Sequence, residues 1–204
     1  VRQTDDAGNQ SSAGSAAAVT VDVTAPAAPT ISTIGGNNIV NAAENTAGIT
    51  ISGTAEANSS VTLTSTSGNT FTVPADDTGA WTTTSLNAAN LFGQGSETIT
   101  VVATDAYGNV SGSSSLTFTV DTSTPAAPSV AVNSLGVATV SGIENDATWE
   151  YKIGDGSWTA GNGVSFAVPE NVYAAGAIQV RQTDDAGNQS SAGSAAAVTV
   201  DVTA

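Results

Sequence analysis

The chain of 204 residues contains no cysteine, no histidine and no methionine. The lack of cysteine excludes disulfides, on which small secreted domains often depend. Without histidine and cysteine, the chain also lacks the commonest proton-transfer group, the thiol nucleophile and the usual zinc ligands. No glycine-rich phosphate loop opens a helix. We therefore expect a protein that is not an enzyme and that has no small-molecule substrate.

The chain has very few positively charged residues. Arg2, Lys152 and Arg181 are the only basic residues, against 18 acidic ones, and the net charge is -15. Nucleic acids and anionic membrane surfaces attract lysine and arginine, so we expect neither as a partner. No run approaches the roughly 18 apolar residues of a membrane-spanning helix. We therefore expect that this region does not insert into a membrane.

The two ends of the chain carry the same sequence. Residues 1–25 and residues 180–204 both read "VRQTDDAGNQSSAGSAAAVTVDVTA". Such self-similarity predicts a window cut from a tandem array. A segment this short cannot bury a core, because chains below about 40 residues usually need metals, disulfides or partners to fold. We therefore interpret residues 1–25 as the C-terminal strands of a preceding repeat.

Two proline-containing segments divide the rest of the chain. They are "VDVTAPAAPT" at 21–30 and "VDTSTPAAPS" at 120–129. Proline fixes its own backbone and restricts the residue before it, so these segments predict short, stiff linkers. The sequence therefore predicts a first domain over 26–121 and a second over 122–204, the latter including the start of the next linker.

Short alternating runs of apolar and polar residues predict strands. In "SVTLTST", Val61 and Leu63 face one side of the strand, and the intervening threonines face the other. Period-two runs, with turn residues every eight to twelve positions or so, are typical of a β-sandwich. The predicted strands lie near 28–33, 48–53, 59–65, 69–74, 79–84, 96–104 and 113–121, and then near 128–132, 136–141, 147–153, 156–159, 164–168, 177–183 and 195–202. The fold class is therefore all-β, with two tandem immunoglobulin-like Greek-key sandwiches of about seven strands each.

We expect tryptophan to fill the centre of each sandwich. In "ATWEYKI", Trp149, Tyr151 and Ile153 share one face of the strand, as a core position requires. An inward tryptophan on the third strand is typical of immunoglobulin sandwiches. Trp81 in "GAWTTT" is the corresponding candidate in the first module.

Several segments resemble a known family. "ISGTAEANSSVTLT", "TDAYGNVSG" and "VDTSTPAAPS" resemble the bacterial Ig-like (Big) extender repeats of giant type I-secreted, RTX- and Bap-like biofilm adhesins. "TWEYKIGDGSWTAGNGVSFAVPENVYAAGAIQVRQTDDAGNQS" is similar to a sister repeat, so the resemblance covers nearly the whole chain. It implies an extracellular extender at the bacterial surface that projects a ligand-binding region for cell adhesion and biofilm formation. It also implies neighbouring repeats as partners and Ca²⁺ at the junctions.

The acidic residues are concentrated in loops that an immunoglobulin topology gathers at the poles of each module. Carboxylates crowded in this way repel, and clusters of hard oxygen ligands suit Ca²⁺. The predicted Ca²⁺ ligands are Asp22, Glu44, Glu56, Asp105, Asp121, Glu144, Asp146, Asp184, Asp185 and Asp201.

A simpler interpretation of these acids remains open. Sequences such as Asp-Asp-Ala-Gly-Asn also form ordinary turns, because Asp and Asn bond to their own backbone and Gly supplies a positive φ. Asp76, Asp77 and Asp155 fit a turn better than a metal site.

Two alternative functions also remain. The module could itself bind a glycan or another surface ligand, with Trp158 and Tyr173 as candidate exposed aromatics. Ice binding by the Thr-x-Thr runs is less favoured, because threonine has a high β-propensity and simply lines the solvent face of strands.

Overall fold

The computed structural model describes residues 1–86 and 91–203. Its secondary structure is dominated by strands, which confirms the all-β prediction. Apolar side chains pack into two separate cores. The first extends from Ile34 to Val120 and the second from Val130 to Val200.

The first core lies within a sandwich of two sheets. Its elements are β1 (Ile39–Val40), α1 (Ala42–Ala47), β2 (Ser52–Thr54), β3 (Ser60–Ser65), β4 (Thr70–Pro74), β5 (Ala80–Thr82), β6 (Gly95–Thr104) and β7 (Ser114–Val120). One sheet has the strand order β1-β7-β6-β3-β4 and the other pairs β2 with β5. The pair of β1 and β7 is parallel, whereas the neighbouring pairs are antiparallel. Trp81 on β5 is buried, as predicted.

The second core is enclosed by shorter strands. They are β8 (Ser129–Val132), β9 (Val137–Ser141), β10 (Thr148–Ile153), β11 (Thr159–Ala160), β12 (Ser165–Ala167), β13 (Asn171–Tyr173), β14 (Ile178–Thr183), β15 (Gly193–Ser194) and β16 (Val198–Val200). The sheets have the orders β11-β10-β14-β15, β12-β9-β8 and β13-β16. Trp149 on β10 is buried, and its Nε1 donates to the carbonyl of Gly163 at 3.2 Å.

Five elements differ from the sequence-based expectation. Residues 28–33 are not a strand, although the N–H of Thr30 donates to the carbonyl of Thr54 on β2. Helix α1 was not predicted, yet its signal is present in "NAAE". Asn41 and Glu44 form a capping box, in which each side chain accepts from the backbone N–H of the other. The short strands β1, β13 and β15 were also missed.

The two identical terminal sequences have different structures. Residues 180–183 complete β14 and the same segment supplies β15 and β16, whereas no strand is formed over residues 1–38. In residues 1–25 the isolated bridge between Thr4 and Gln10 remains, as it does between Thr183 and Gln189. A strand needs a hydrogen-bonded neighbour, and β10 provides one for β14. The origin of residues 1–25 in a preceding repeat, and the domain boundaries, stay predictions.

Candidate functional site at the module joint

A tight loop, residues 184–188, lies at the end of β14. The backbone N–H of Asn188 donates to Oδ1 of Asp184 at 2.8 Å, and Nδ2 of Asn188 donates to Oδ2 at 3.0 Å. Gly187 has a φ of 91°, which glycine adopts without the steric cost of a Cβ. The Asp–Asn pair therefore closes the loop and fixes the orientation of the asparagine amide.

The same amide reaches two other parts of the chain. Nδ2 of Asn188 donates to the carbonyl oxygen of Asp121 in the linker at 2.8 Å. Its Oδ1 accepts from the backbone N–H of Ala42 at 2.8 Å. Ala42 is the first residue of α1, and N–H groups in the first turn of a helix have no partner within the helix. Asn188 therefore connects a loop of the second module, the linker and the first module, and it is only 4% exposed.

The first module repeats this arrangement. Oδ1 and Oδ2 of Asp105 accept from the backbone N–H and from Nδ2 of Asn109, both at 2.8 Å. Nδ2 of Asn109 also donates to the carbonyl oxygen of Asp22 at 3.2 Å. The bond from the Asn109 side chain is the main cause that lowers the pKa of Asp105 below its ordinary value of 3.8. A third copy occurs in residues 1–25, where Asp5 accepts from the N–H and Nδ2 of Asn9 at 2.8 and 3.0 Å.

The linker aspartates also form turns. In each, Oδ1 accepts from the backbone N–H two residues further on, at 3.0 Å; the pairs are Asp22 with Thr24, Asp121 with Ser123, and Asp201 with Thr203. In Asp201 the hydroxyl of Thr203 is the main cause of a lowered pKa. At each linker the carboxylate thus fixes the local turn. At Asp22 and Asp121 the carbonyl of the same residue also accepts from the loop asparagine.

The other five predicted Ca²⁺ ligands are Glu44, Glu56, Glu144, Asp146 and Asp185. Oε2 of Glu44 accepts from the N–H of Asn41 at 3.0 Å within the capping box of α1. Asp146 has a left-handed φ of 64° in an exposed turn. The side chains of Glu56, Glu144 and Asp185 are exposed.

No group of three or more acidic side chains that could hold a metal ion occurs in residues 1–86 and 91–203. The oxygens that do come together are one side-chain and one backbone oxygen at each joint. At the central joint these are Oδ2 of Asp184 and the carbonyl of Asp121, both bonded to Nδ2 of Asn188. Ca²⁺ prefers oxygen ligands of this kind, but it takes about six to eight of them. The ten-residue ligand set stays a prediction.

Asp76 shows the turn chemistry that its sequence indicated. Its Oδ1 accepts from the backbone N–H of Thr78, from the Thr78 hydroxyl and from the N–H of Ala80. The bond from the Thr78 hydroxyl is the first cause of its lowered pKa.

One functional residue of the joint was not anticipated. Gln182 on β14 is completely buried. Its Nε2 donates to the carbonyls of Ala126 and Gly142 at 2.7 and 3.1 Å, and its Oε1 accepts from the N–H of Glu144 at 2.7 Å. The signal was available, because Gln182 continues the inward alternation of Ile178 and Val180. A polar residue at such a position needs hydrogen-bond partners.

The two aromatic candidates for ligand binding have other roles. Tyr173 is buried, contrary to the expectation of exposure, and its hydroxyl donates to the carbonyl of Pro169 at 3.0 Å. Trp158 is half-buried, with the guanidinium carbon of Arg181 at 4.1 Å and Nζ of Lys152 at 5.4 Å from its ring centroid. Its ring face is therefore engaged by cations of the same module.

None of the helices in the described part of the chain is long and apolar enough to cross a membrane. No curated protein gives a significant match to the sequence. The family model described as bacterial Ig-like domain matches residues 27–122.

Several solved structures resemble the chain. One is a Ca²⁺-stabilised adhesin that helps an Antarctic bacterium reach out and bind ice, with 23% identity over 98% of this chain and 55% of that chain, and a TM-score of 0.55. The present chain thus spans about half the length of that one. A second is a 1.5-MDa bacterial ice-binding adhesin, with 23% identity over 98% of this chain and 73% of that chain, and a TM-score of 0.55. A third, a bacterial immunoglobulin-like domain of the M. primoryensis ice-binding adhesin, is 26% identical over 48% of this chain and 100% of that chain, with a TM-score of 0.36.

The first two likenesses extend over both cores, and together with the family match they confirm the immunoglobulin-like fold. Residues 27–122, which include the first core, match the bacterial Ig-like domain family.

Proposed function

We propose that the chain is an extender segment of a large bacterial surface adhesin, located outside the cell and without enzymatic activity. The observation that supports it most directly is the packed joint between the two cores. Asn188 and Gln182 bond to linker carbonyls five residues apart, at Asp121 and Ala126. Pro125 and Pro128 of the same linker are buried. A linker held in this way transmits the orientation of one sandwich to the next.

Such a segment extends the protein by repetition. At about 3.3 Å per strand residue, each sandwich adds roughly 25–30 Å along the chain of domains. The identical sequences of residues 1–25 and 180–204 support an array in which this unit recurs. Neighbouring repeats of the same protein are then the partners of this region. The array would hold a ligand-binding region away from the cell during adhesion and biofilm formation.

We propose further that Ca²⁺ binds at the joints and stiffens them. The net charge of -15 supports this, as does the similarity to an adhesin that is Ca²⁺-stabilised. The candidate ligands are the carboxylates of the ten residues named above, with Asp121 and Asp184 foremost at the central joint. Two carboxylates about 6 Å apart at an effective dielectric near 20 repel by roughly 3 kcal/mol, and a divalent cation between them removes that cost.

Small-angle X-ray scattering in Ca²⁺ and in a chelator tests both parts of this proposal. We expect an elongated particle in either condition, and a larger maximum dimension with less flexibility in Ca²⁺. Asp121→Ala should weaken the response to Ca²⁺, whereas Asp155→Ala, in a hairpin turn away from the joint, should not. A compact particle in both conditions contradicts the extender role. An elongated particle with the same profile in both conditions contradicts only the role of Ca²⁺.

A further inference from the structure

We infer that Asn188 locks the central joint directly, so that the joint keeps its stiffness when divalent cations are removed. This assigns to a single neutral side chain a role that the sequence had suggested for a bound cation. The inference does not depend on the calcium proposal, because it rests on hydrogen bonds within the chain itself.

The bonding capacity of the amide fits its surroundings. Its two N–H donors face two acceptors, the carbonyl of Asp121 at 2.8 Å and Oδ2 of Asp184 at 3.0 Å. Its oxygen faces a donor, the N–H of Ala42, at 2.8 Å. Both donors and the oxygen therefore have partners, in a position that is 4% exposed. An aspartate at this position would direct oxygen at the Asp121 and Asp184 oxygens, which explains why an amide is needed.

The contact between the modules is close as well as hydrogen-bonded. A Cβ added at Gly187 would lie 3.3 Å from Nδ2 of Asn41, the N-cap residue of α1. The loop 184–188 thus packs directly against the start of α1. Hydrogen bonds made by a buried side chain such as Asn188 are costly to break, because the separated groups lose their partners.

The first module has the same arrangement of loop asparagine, loop aspartate and linker carbonyl. Asn109 bonds to Asp105 and to the carbonyl of Asp22 as Asn188 bonds to Asp184 and to the carbonyl of Asp121. The shared sequence is Thr-Asp-x-x-Gly-Asn, found at 4–9, 104–109 and 183–188. In the first of these the local Asp5–Asn9 bonds are present, and among residues 1–86 and 91–203 the Asn9 side chain has no bond to a linker carbonyl. Asn9 is therefore a control that carries the same turn without a joint.

The test measures the distance between the modules by pulsed electron paramagnetic resonance. The chain has no cysteine, so Thr70→Cys and Ser165→Cys, at exposed positions of β4 and β12, introduce the only two spin-label sites. The distance distribution is recorded in Ca²⁺ and in chelator for the doubly labelled chain and for its Asn188→Ala, Asn188→Asp and Asn9→Ala variants.

We expect a narrow distribution in chelator for the unaltered chain and for Asn9→Ala, and a broad one for both Asn188 variants. Loss of the bonds to Asp121 and Ala42 should raise the population of open joints by about tenfold or more, since a net hydrogen bond contributes about 1 kcal/mol. Equal widths for the unaltered chain and both Asn188 variants in chelator would overturn the inference. A broad distribution for the unaltered chain in chelator would also overturn it.

A variant on the other side of the contact covers the case in which an Asn188 variant fails to fold. Ala42→Pro removes the N–H that donates to Asn188 and leaves the loop 184–188 unchanged. Proline is favoured at the first position of a helix, and Asn41 before it already has an extended backbone, with φ -89° and ψ 178°. We expect Ala42→Pro to broaden the distribution in chelator. An unchanged width of the distance distribution in this variant would show that the contact with α1 does not hold the joint.

Any narrowing of the distance distribution on addition of Ca²⁺ is a separate readout. Its absence in every variant would contradict the calcium proposal alone.

Discussion

At the scale of single residues, two buried amides, Asn188 and Gln182, make the side-chain hydrogen bonds to the linker carbonyls of Asp121 and Ala126. Gln182 bonds to carbonyls of the linker and of the loop after β9, and to the N–H of Glu144. Ala103 occupies the corresponding position in the first module. The backbone N–H of each residue donates to a serine hydroxyl eight residues further on, but Ala103 has no side-chain amide to bond to a linker. The two modules therefore hold their linkers with different sets of side chains, although Asn109 and Asn188 are common to both.

We expect Gln182→Ala to lower the free energy of unfolding of the second module by about 1–3 kcal/mol, because each buried group left without a partner carries a cost of that order. Urea denaturation followed by the fluorescence of Trp149 and Trp158 measures the change. Gln3→Ala is the matched control, since Gln3 occupies the identical sequence but is exposed. Equal effects of the two substitutions would contradict the structural role of Gln182.

At the scale of elements, the chain that leaves each linker crosses a glycine of the module it enters. A Cβ at Gly53 on β2 would lie 1.9 Å from the carbonyl oxygen of Thr30, and one at Gly193 on β15 would lie 1.7 Å from that of Pro128. Neither distance is possible without a shift of backbone. These glycines are therefore required by the close approach of the segment after the linker.

Gly53→Ala should destabilise the first module by about 1–3 kcal/mol, as overpacking of a close contact does. Gly112→Ala is the control, because a Cβ there would meet its nearest atom, in Ala28, at 4.0 Å, and Gly112 has no positive φ. Thermal unfolding followed by the fluorescence of Trp81 measures both. A smaller loss for Gly53→Ala than for Gly112→Ala would show that the segment at Thr30 shifts at little cost.

At the scale of the whole molecule, acidic charge is left almost without compensation. The described residues contain one ion pair, between Nη2 of Arg181 and Oε2 of Glu150 at 2.7 Å, while the sequence has 18 acidic residues. A partly exposed pair of this kind contributes at most about 1 kcal/mol. Repulsion between like charges is therefore the larger electrostatic effect on the folded chain.

Added salt should consequently stabilise the protein. Raising NaCl from about 0.01 M to about 0.15 M shortens the Debye length from about 30 Å to about 8 Å and screens the repulsion. We expect a higher urea midpoint at the higher concentration, with chelator present throughout so that divalent cations do not contribute. A lower midpoint at the higher concentration would mean that attractive pairs, not repulsion, dominate the electrostatics.

The sequence by itself determined the local features of this protein. Alternation in "SVTLTST" and "ATWEYKI" predicted β3 and β10 with their buried faces, because the side-chain period of a strand is local. The loop sequence predicted the turn that Asp76 forms, and it offered a turn as the alternative to a Ca²⁺ ligand at Asp105 and Asp184, since Asp bonds to the backbone within a few residues of itself. The capping box of α1 is equally local and was readable in "NAAE".

Only the tertiary structure decided what these local features contact. Asn188 bonds to Ala42, which lies 146 positions earlier, and no spacing in the sequence indicates that pair. The identical residues 1–25 and 180–204 make the same point, because they form the same Asp–Asn turn but only the second copy forms strands. The turn needs nothing beyond its own residues, whereas strand pairing and the lock of the joint need partners that only the folded chain brings alongside.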